Sequence, residues 1–432
     1  MQYCNISKPP HPRRNPPANA GFTVSKRGVY SRVTIRNFQR ERGAGNGNAG
    51  KARHHFQREQ EESCPFFLVC SHKVCNFAAV MMETAERNST PLVTVGIPVY
   101  NVEPYVEKCI RSVLEQTYRH LEVVVVDDQG QDGSMRIVET LQREHERGCL
   151  LRIVAHETNR GIGEARNTLI DCACGKYLLF VDSDDYIEPT TVERLVGEAL
   201  AHDTDAVFAS CRRVDHATGS ELPTFRFQSR QEFMGRDAFA QYVCQDLRWH
   251  VGINAWNILF RTAFLRHNKL RFAARKDEDA VFLADFYAYI ERAVILPDVT
   301  YNYVSRPGSI MGNMARERIP VSEIRERFKA DAVLTSHCER LKDRAFYDVH
   351  CARVMKHKFR AVCVALRHRR RFTEPLPAQE IKRELCHPAT LRQILSFRRY
   401  RGLHLFFYYV SHLPSSVAVA VSYVAGKLLK WI

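Results

Sequence analysis

The stretch Lys176-Tyr-Leu-Leu-Phe-Val-Asp-Ser-Asp-Asp185 is an apolar run of strand length that ends abruptly in Asp182, Asp184 and Asp185. In open α/β sheets ligands bind in the crevice outside the carboxyl ends of the strands, so charges collected at a strand end mark a site. Alternate carboxylates around a small residue offer hard oxygen ligands. These suit Mg²⁺ or Mn²⁺, either of which can bridge a diphosphate. A strand followed by an Asx-rich turn would read the same way, so the flanking sequence has to decide.

Upstream, Pro91-Leu-Val-Thr-Val-Gly-Ile-Pro-Val-Tyr-Asn101 is a second apolar run ending in a polar loop. An amphipathic helix over about 103–116 follows, with Val106, Cys109, Ile110, Val113 and Leu114 at helical spacing. Leu121-Glu-Val-Val-Val-Val-Asp-Asp128 is a further strand ending in carboxylates, and Gln129-Gly-Gln-Asp-Gly-Ser134 is its turn. A helix over 134–146, a strand over 150–155, and Asn159-Arg-Gly-Ile-Gly-Glu-Ala-Arg-Asn167 opening another helix complete the pattern. The alternation βαβαβαβ predicts an α/β fold with a mostly parallel, doubly wound sheet flanked by helices.

The ordered motifs Pro-Val-Tyr-Asn, Val-Val-Asp-Asp with its Gly/Ser turn, Asn-Arg-Gly with Ala-Arg-Asn, and Asp-Ser-Asp-Asp resemble family 2 inverting glycosyltransferases over about 91–310. The resemblance implies a GT-A fold, Rossmann-like, with a nucleotide-diphosphate sugar as donor, UDP above all, and a divalent metal. It implies that Pro98, Tyr100 and Asn101 meet the nucleotide and that Asp128 accepts the uracil N3–H. Asp127 stays open as the alternative, because neighbouring strand residues face opposite ways. Arg160 and Arg166 would face the diphosphate; for Arg166 a structural salt bridge is the equal alternative. Asp182 would touch ribose or metal, and Asp184 would be the main metal ligand. Lys276-Asp-Glu-Asp-Ala-Val-Phe282 matches the acidic pair that opens a helix in the family, so Asp279 is expected as the general base and Glu278 beside it. Trp256-Asn-Ile-Leu-Phe260 fits the acceptor side. Arg306 and Ser309, in Tyr301-Asn-Tyr-Val-Ser-Arg-Pro-Gly-Ser309, would close over the donor.

Gly161-Ile-Gly163-Glu-Ala-Arg166 also invites comparison with the dinucleotide fingerprint G-x-G-x-x-G. Arg166 stands where the third glycine belongs, and a polar loop separates the glycines from the strand. A dehydrogenase is excluded on that ground.

Charge divides the chain. Residues 1–90 carry net +8, 321–432 carry +13, and the middle carries −6, within an overall +15. An acidic centre argues against an enzyme acting on nucleic acid, and no nucleic-acid partner is expected; basic flanks suit an anionic surface. The 14 cysteines contain no CxxC pair, which fits reduced thiols and a cytoplasmic protein. Cys64, Cys70, His72 and Cys75 are too irregular for a metal site. Residues 1–81, rich in Arg, Asn, Gly and Pro, are expected to be disordered or a spurious extension, since Met81 and Met82 just precede the first strand. Residues 321–432 are expected to form a basic helical C-terminal region.

Within it, 402–426 has no charged residue but is interrupted by Pro414. A membrane-interface segment and a helical subdomain packed on the core both stay open. The composite expectation is a transferase moving a sugar to a hydroxyl of a surface glycan or lipid-linked acceptor, with peripheral contact at the cytoplasmic face of the inner membrane. The rival is a non-catalytic nucleotide-sugar or glycan-binding module with a degenerate transferase fold.

Overall fold

The computed structural model describes residues 90–245, 254–306 and 317–432. Residues 1–81 and Ser309 therefore lie outside the described residues. Strands β1 (Val93–Val99), β2 (Leu121–Asp127), β3 (Leu151–Ala155) and β4 (Tyr177–Phe180) alternate with helices α1 (Glu103–Leu114), α2 (Ser134–Glu144) and α3 (Ile162–Cys172). All seven residues of β1 are buried, as a strand covered on both faces requires. Alternation sorts the side chains. Val95, Ile97, Val123, Val125 and Leu179 pack with Val106, Ile110 and Val113 of α1 and with Val138 of α2. Val124, Val126, Leu178 and Phe180 face the other way, against Ala165, Leu169 and Ile170 of α3.

The second half comprises β5 (Tyr186–Ile187), α4 (Thr191–Ala201), β6 (Ala206–Asp215), β7 (Glu221–Leu222), β8 (Gln231–Met234), α5 (Ala238–Gln245), β9 (Ile258–Arg261), α6 (Thr262–His267), α7 (Glu278–Tyr289) and β10 (Arg292–Ser305). The sheet order is β3-β2-β1-β4-β9-β6-β10-β5, with β7 on β6 and β8 on β10. The four expected strands are mutually parallel. Beyond them the sheet is mixed, because β9 inserts antiparallel between β4 and β6. Strand β10 runs parallel to β6, with register shifts between Leu296 and Val299 and between Val299 and Tyr301. Such irregularities bend a strand and re-aim its side chains, and here they precede Tyr301.

The C-terminal region is helical: α8 (Val321–Arg340), α9 (Tyr347–His368), α10 (Ala378–Glu384), α11 (Leu391–Ser396), α12 (Arg401–His412) and α13 (Ser415–Leu428). Leu334, Cys338, Phe346 and Val354 join the same core as Phe282 and Phe286 of α7. A separate cluster unites Met355, Phe359 and Val362 of α9 with Ile381, Phe407, Val410 and Ala418. The segment 402–426 is thus two helices broken at Pro414, each packing one face on the protein. Among the described residues no helix is long and apolar enough to cross a membrane.

Between α8, α9 and α10 lies a buried polar group. Asp331 accepts from His357 Nδ1 at 2.6 Å, and Lys358 Nζ donates to Thr335 Oγ1 and the Cys386 carbonyl. Burial, and then the neighbouring Asp331, push the Glu384 carboxyl up to about 8, while Lys358 pulls it down. An unfolded Glu titrates near pH ~4.3. The folded state therefore holds this proton more tightly, and the associated stability is present at low pH and lost as pH rises from ~4.3 towards about 8. Glu384→Gln is expected to be more stable than the parent at pH ~9, by on the order of 1–3 kcal/mol, the cost of an unsatisfied buried polar group. The difference should shrink at pH ~5. Urea unfolding at both pH values checks it.

Candidate active site

The acidic strand end is assembled by backbone geometry. Val181 N–H continues the β4 ladder to the Gly96 carbonyl, and Asp185 N–H then closes a turn on the Asp182 carbonyl. The ligand atoms of Asp182, Asp184 and Asp185 lie within 4.8 Å of one another. They are not equivalent. Both oxygens of buried Asp185 are used, accepting from Tyr301 Oη at 2.8 Å and from Val304 N–H at 2.7 Å. The same Tyr301 hydroxyl accepts from Asp182 N–H at 3.0 Å. Asp185 is therefore the support of the turn, with Tyr301 bracing it from β10. Asp184 receives Arg306 Nε at 2.8 Å. Burial, and next Asp182, raise the Asp184 carboxyl pKa against the pull of Arg306. Three carboxylates crowded in a partly dry crevice favour a cation among them. Asp182 and Asp184, each with one oxygen committed to an arginine, fit a small hard cation of the Mg²⁺ or Mn²⁺ kind.

Arg166 is 1% exposed. Its guanidinium reaches Asp182 Oδ1 at 2.7 Å, Asp279 Oδ1 at 2.5 Å and Glu278 Oε1 at 3.2 Å. All three ion pairs of this side chain go to protein carboxylates, the arrangement that the structural salt-bridge alternative describes. The segment carrying the acidic pair is fastened to α3. Asn167 donates to the Phe272 carbonyl at 3.0 Å and accepts its N–H at 2.9 Å. A Cβ on Gly163 would stand 3.1 Å from the Ala274 carbonyl oxygen, so the first turn of α3 is small to let that segment approach. Glu278 and Asp279 open α7, where the helix dipole favours negative charge. Burial nonetheless dominates and pushes the Asp279 carboxyl up to about 7, against Arg166. The Glu278 carboxyl is raised for the same reason.

The loops after β1 and β2 are locked together. Gln131 N–H donates to Asn101 Oδ1 at 2.7 Å, and Glu103 N–H to Asp132 Oδ2 at 2.8 Å. A Cβ on Gly130 would lie 2.8 Å from the Asn101 backbone nitrogen. Asn101 itself has φ 52°, a turn conformation that Asn tolerates. Tyr100 is exposed beside it, 48% accessible. Pro98 is buried inside β1, in register with Val126.

The Asp128 oxygens accept from His156 Nδ1 at 2.8 Å, Asn159 Nδ2 at 2.9 Å, and the backbone N–H groups of Arg160 and Gly161, each at 2.8 Å. Four donors fill the lone-pair directions of one carboxylate. Asp128 holds the loop that carries Arg160, and Asp127, half-buried with one oxygen on Gln129 N–H at 2.9 Å, is the freer acceptor. The Arg160 side chain is exposed and pairs with Glu164. Trp256 stacks on Tyr301 at 4.5 Å and on Tyr303 at 5.6 Å, forming one aromatic wall behind the acidic turn.

The residues that sequence reading missed are the braces: Tyr301, Asn167 and His156. Only Asn167 carried a signal, its place in the Ala-Arg-Asn motif.

A parallel half-sheet with carboxylates at its strand ends, extended by a mixed half that brings a second acidic pair to the same arginine, is a GT-A fold. Residues 1–349 of S. aureus TarS, solved in complex with UDP-GlcNAc, share it with a TM-score of 0.59 at 22% identity, over 77% of this chain and 89% of that one. Residues 94–266 match the profile described as Glycosyl transferase family 2. The glycosyltransferase YibD of Escherichia coli (strain K12) is 30% identical over 255 residues, covering 56% of this chain and 72% of YibD. The glycosyltransferase EpsJ of Bacillus subtilis (strain 168) is 31% identical over 226 residues, 51% of this chain. The chain spans 63% of EpsJ's length. The chain belongs to glycosyltransferase family 2.

Proposed function

We propose that the protein transfers a sugar from a nucleotide-diphosphate sugar, a UDP-sugar, to a hydroxyl of a glycan or lipid-linked acceptor, with inversion at the anomeric carbon. The observation that carries this reading is the shared guanidinium of Arg166. It binds Asp182 on the donor side and Asp279 on the acceptor side at once, so the cation site and the base belong to one crevice.

In this reading the uracil and ribose lie against Tyr100 and Asp127, with Asp182 beneath. Asp182 and Asp184 would hold a divalent metal, which as a Lewis acid would stabilise negative charge on the diphosphate. Arg306 leaves Asp184 for the donor phosphates, where a guanidinium pairs bidentately; Arg160 approaches from the opposite loop. Asp279 accepts the proton of the acceptor hydroxyl as its oxygen bonds to the anomeric carbon and the bond to the diphosphate breaks. Glu278 shares Arg166 and keeps the pair in place. Residues 91–310 would carry the transferase, and 321–432 would hold it near a cytoplasmic membrane face.

The test is release of UDP from UDP-sugars by the full chain with acceptor, in Mn²⁺ and in EDTA. Metal-dependent release is expected. No release and no thermal shift with any nucleotide sugar would favour a non-catalytic binding module, and undiminished release in EDTA would remove the metal. Asp184→Asn adds a second readout. Mn²⁺ with UDP should raise the melting temperature of the parent, whereas the variant should keep its own melting temperature and lose that increment.

A further inference from the structure

The C-terminal helix α13 has two unlike faces. Ala418, Ser422 and Gly426, spaced by four, are buried. Opposite them Val417, Val424 and Leu428 are 43%, 57% and 79% exposed, and Leu429 is 53% exposed. Positions 417, 424 and 428 fall on one stripe of a 3.6-residue helix. The stripe is not ordinary surface scatter: seven of the twelve large exposed apolar side chains among the described residues lie within 395–429.

Its rim is aromatic and cationic. Arg369 lies 5.4 Å and Lys427 5.7 Å from the Tyr423 ring, and Arg360 lies 5.8 Å from Trp431. Residues 385–432 contain no Asp or Glu, while Arg392, Arg398, Arg399, Arg401, Lys427 and Lys430 are all basic.

We propose that this face of α13 is a docking surface for an anionic lipid bilayer, lying in the headgroup region with Val417, Val424, Leu428 and Leu429 inserted and the arginines and lysines on lipid phosphates. Charge selects this occupant. Residues 1–90 carry net +8, and a second copy meeting this face with its own would present the same cations, so both are repelled. An anionic surface is attracted, roughly fivefold in affinity for each basic residue near it. Amphipathic interfacial helices combine these same parts, an apolar stripe and a basic, aromatic margin. With 14 residues, at about 1.5 Å each, α13 is far shorter than a ~30 Å hydrocarbon core, so it lies on the membrane. The surface stands independently of the transferase reading, because it uses none of the site residues.

The experiment is co-sedimentation of the full chain with phosphatidylcholine vesicles, with and without phosphatidylglycerol. Binding is expected only with phosphatidylglycerol and should fall as salt rises. The pair Val424→Asp and Leu428→Asp should abolish it. Lys427→Glu with Lys430→Glu should weaken it by roughly 10²-fold or more. Circular dichroism and UDP binding should be unchanged in each variant, since all four side chains are exposed. Equal binding to both vesicle types, or to parent and variants, would overturn the proposal. So would concentration-dependent dimerisation that the same variants abolish, which would make the face a contact between copies.

Discussion

Replacing Asp279 by Asn should lower sugar transfer by about 10²–10⁴-fold, the range that a positioned general base contributes, while leaving affinity for the nucleotide sugar close to that of the parent. The carboxylate must be ionised to take the acceptor proton. Its pKa is pushed up to about 7 by burial, so transfer in the parent should rise with pH through about 7 and then level. The residual activity of Asp279→Asn should lack that inflection. Stopped assays of UDP formation across pH 5–9 test both points. Glu278→Gln is the control. If the inflection and the large loss follow Glu278 instead, the base is reassigned to it. If both variants turn over normally, the acidic pair is not the acceptor site.

Arg166→Met should destabilise the protein by about 3–5 kcal/mol near neutral pH, the scale of removing one partner from a buried ion pair. Met fills much of the same volume, so loss of packing is small beside the loss of charge. Three carboxylates would be left facing one another, and their pKa values would climb. The sign of the pH dependence follows. Raised folded-state pKa values make stability fall as pH rises, so the deficit against the parent should be larger at pH ~8 than at pH ~5. A deficit of equal size at both pH values would mean that Arg166 acts through packing. Guanidinium or urea melts of both proteins at the two pH values decide between them.

The donor half was legible because its information is local. Buried runs such as 93–99 and 121–127 can only be strands covered on both faces, and the five apolar residues at helical spacing in 103–116 are the five that α1 buries. The strand-end carboxylates lie at the ends of those runs. What the chain did not disclose was non-local pairing. Strand β9 has four residues and takes its place from hydrogen bonds to β4 and β6, some eighty and fifty residues earlier. The partners of Arg166 on α7 lie 112 and 113 residues away, and a lone arginine in a helix gives no hint of them. The hydrogen bonds of Asp128 were illegible for a related reason. Whether a carboxylate is free or saturated depends on how the loop 156–161 folds back over it, and no spacing rule reports that.

The attachment of the Phe272–Asp279 segment to α3 has an evolutionary corollary. Among the links between α3 and the acidic pair are the Arg166 ion pairs, and Asn167 reading the backbone of Phe272. Those two links recognise a main chain and two carboxylates, and they are indifferent to the exposed side chains of the segment they hold. On the proposed function, a lineage can vary its acceptor at exposed positions of this segment such as Ala273 and Arg275, with no change to donor chemistry, provided that arginine and asparagine still find their partners. The helix bearing them works as a socket for the acidic pair.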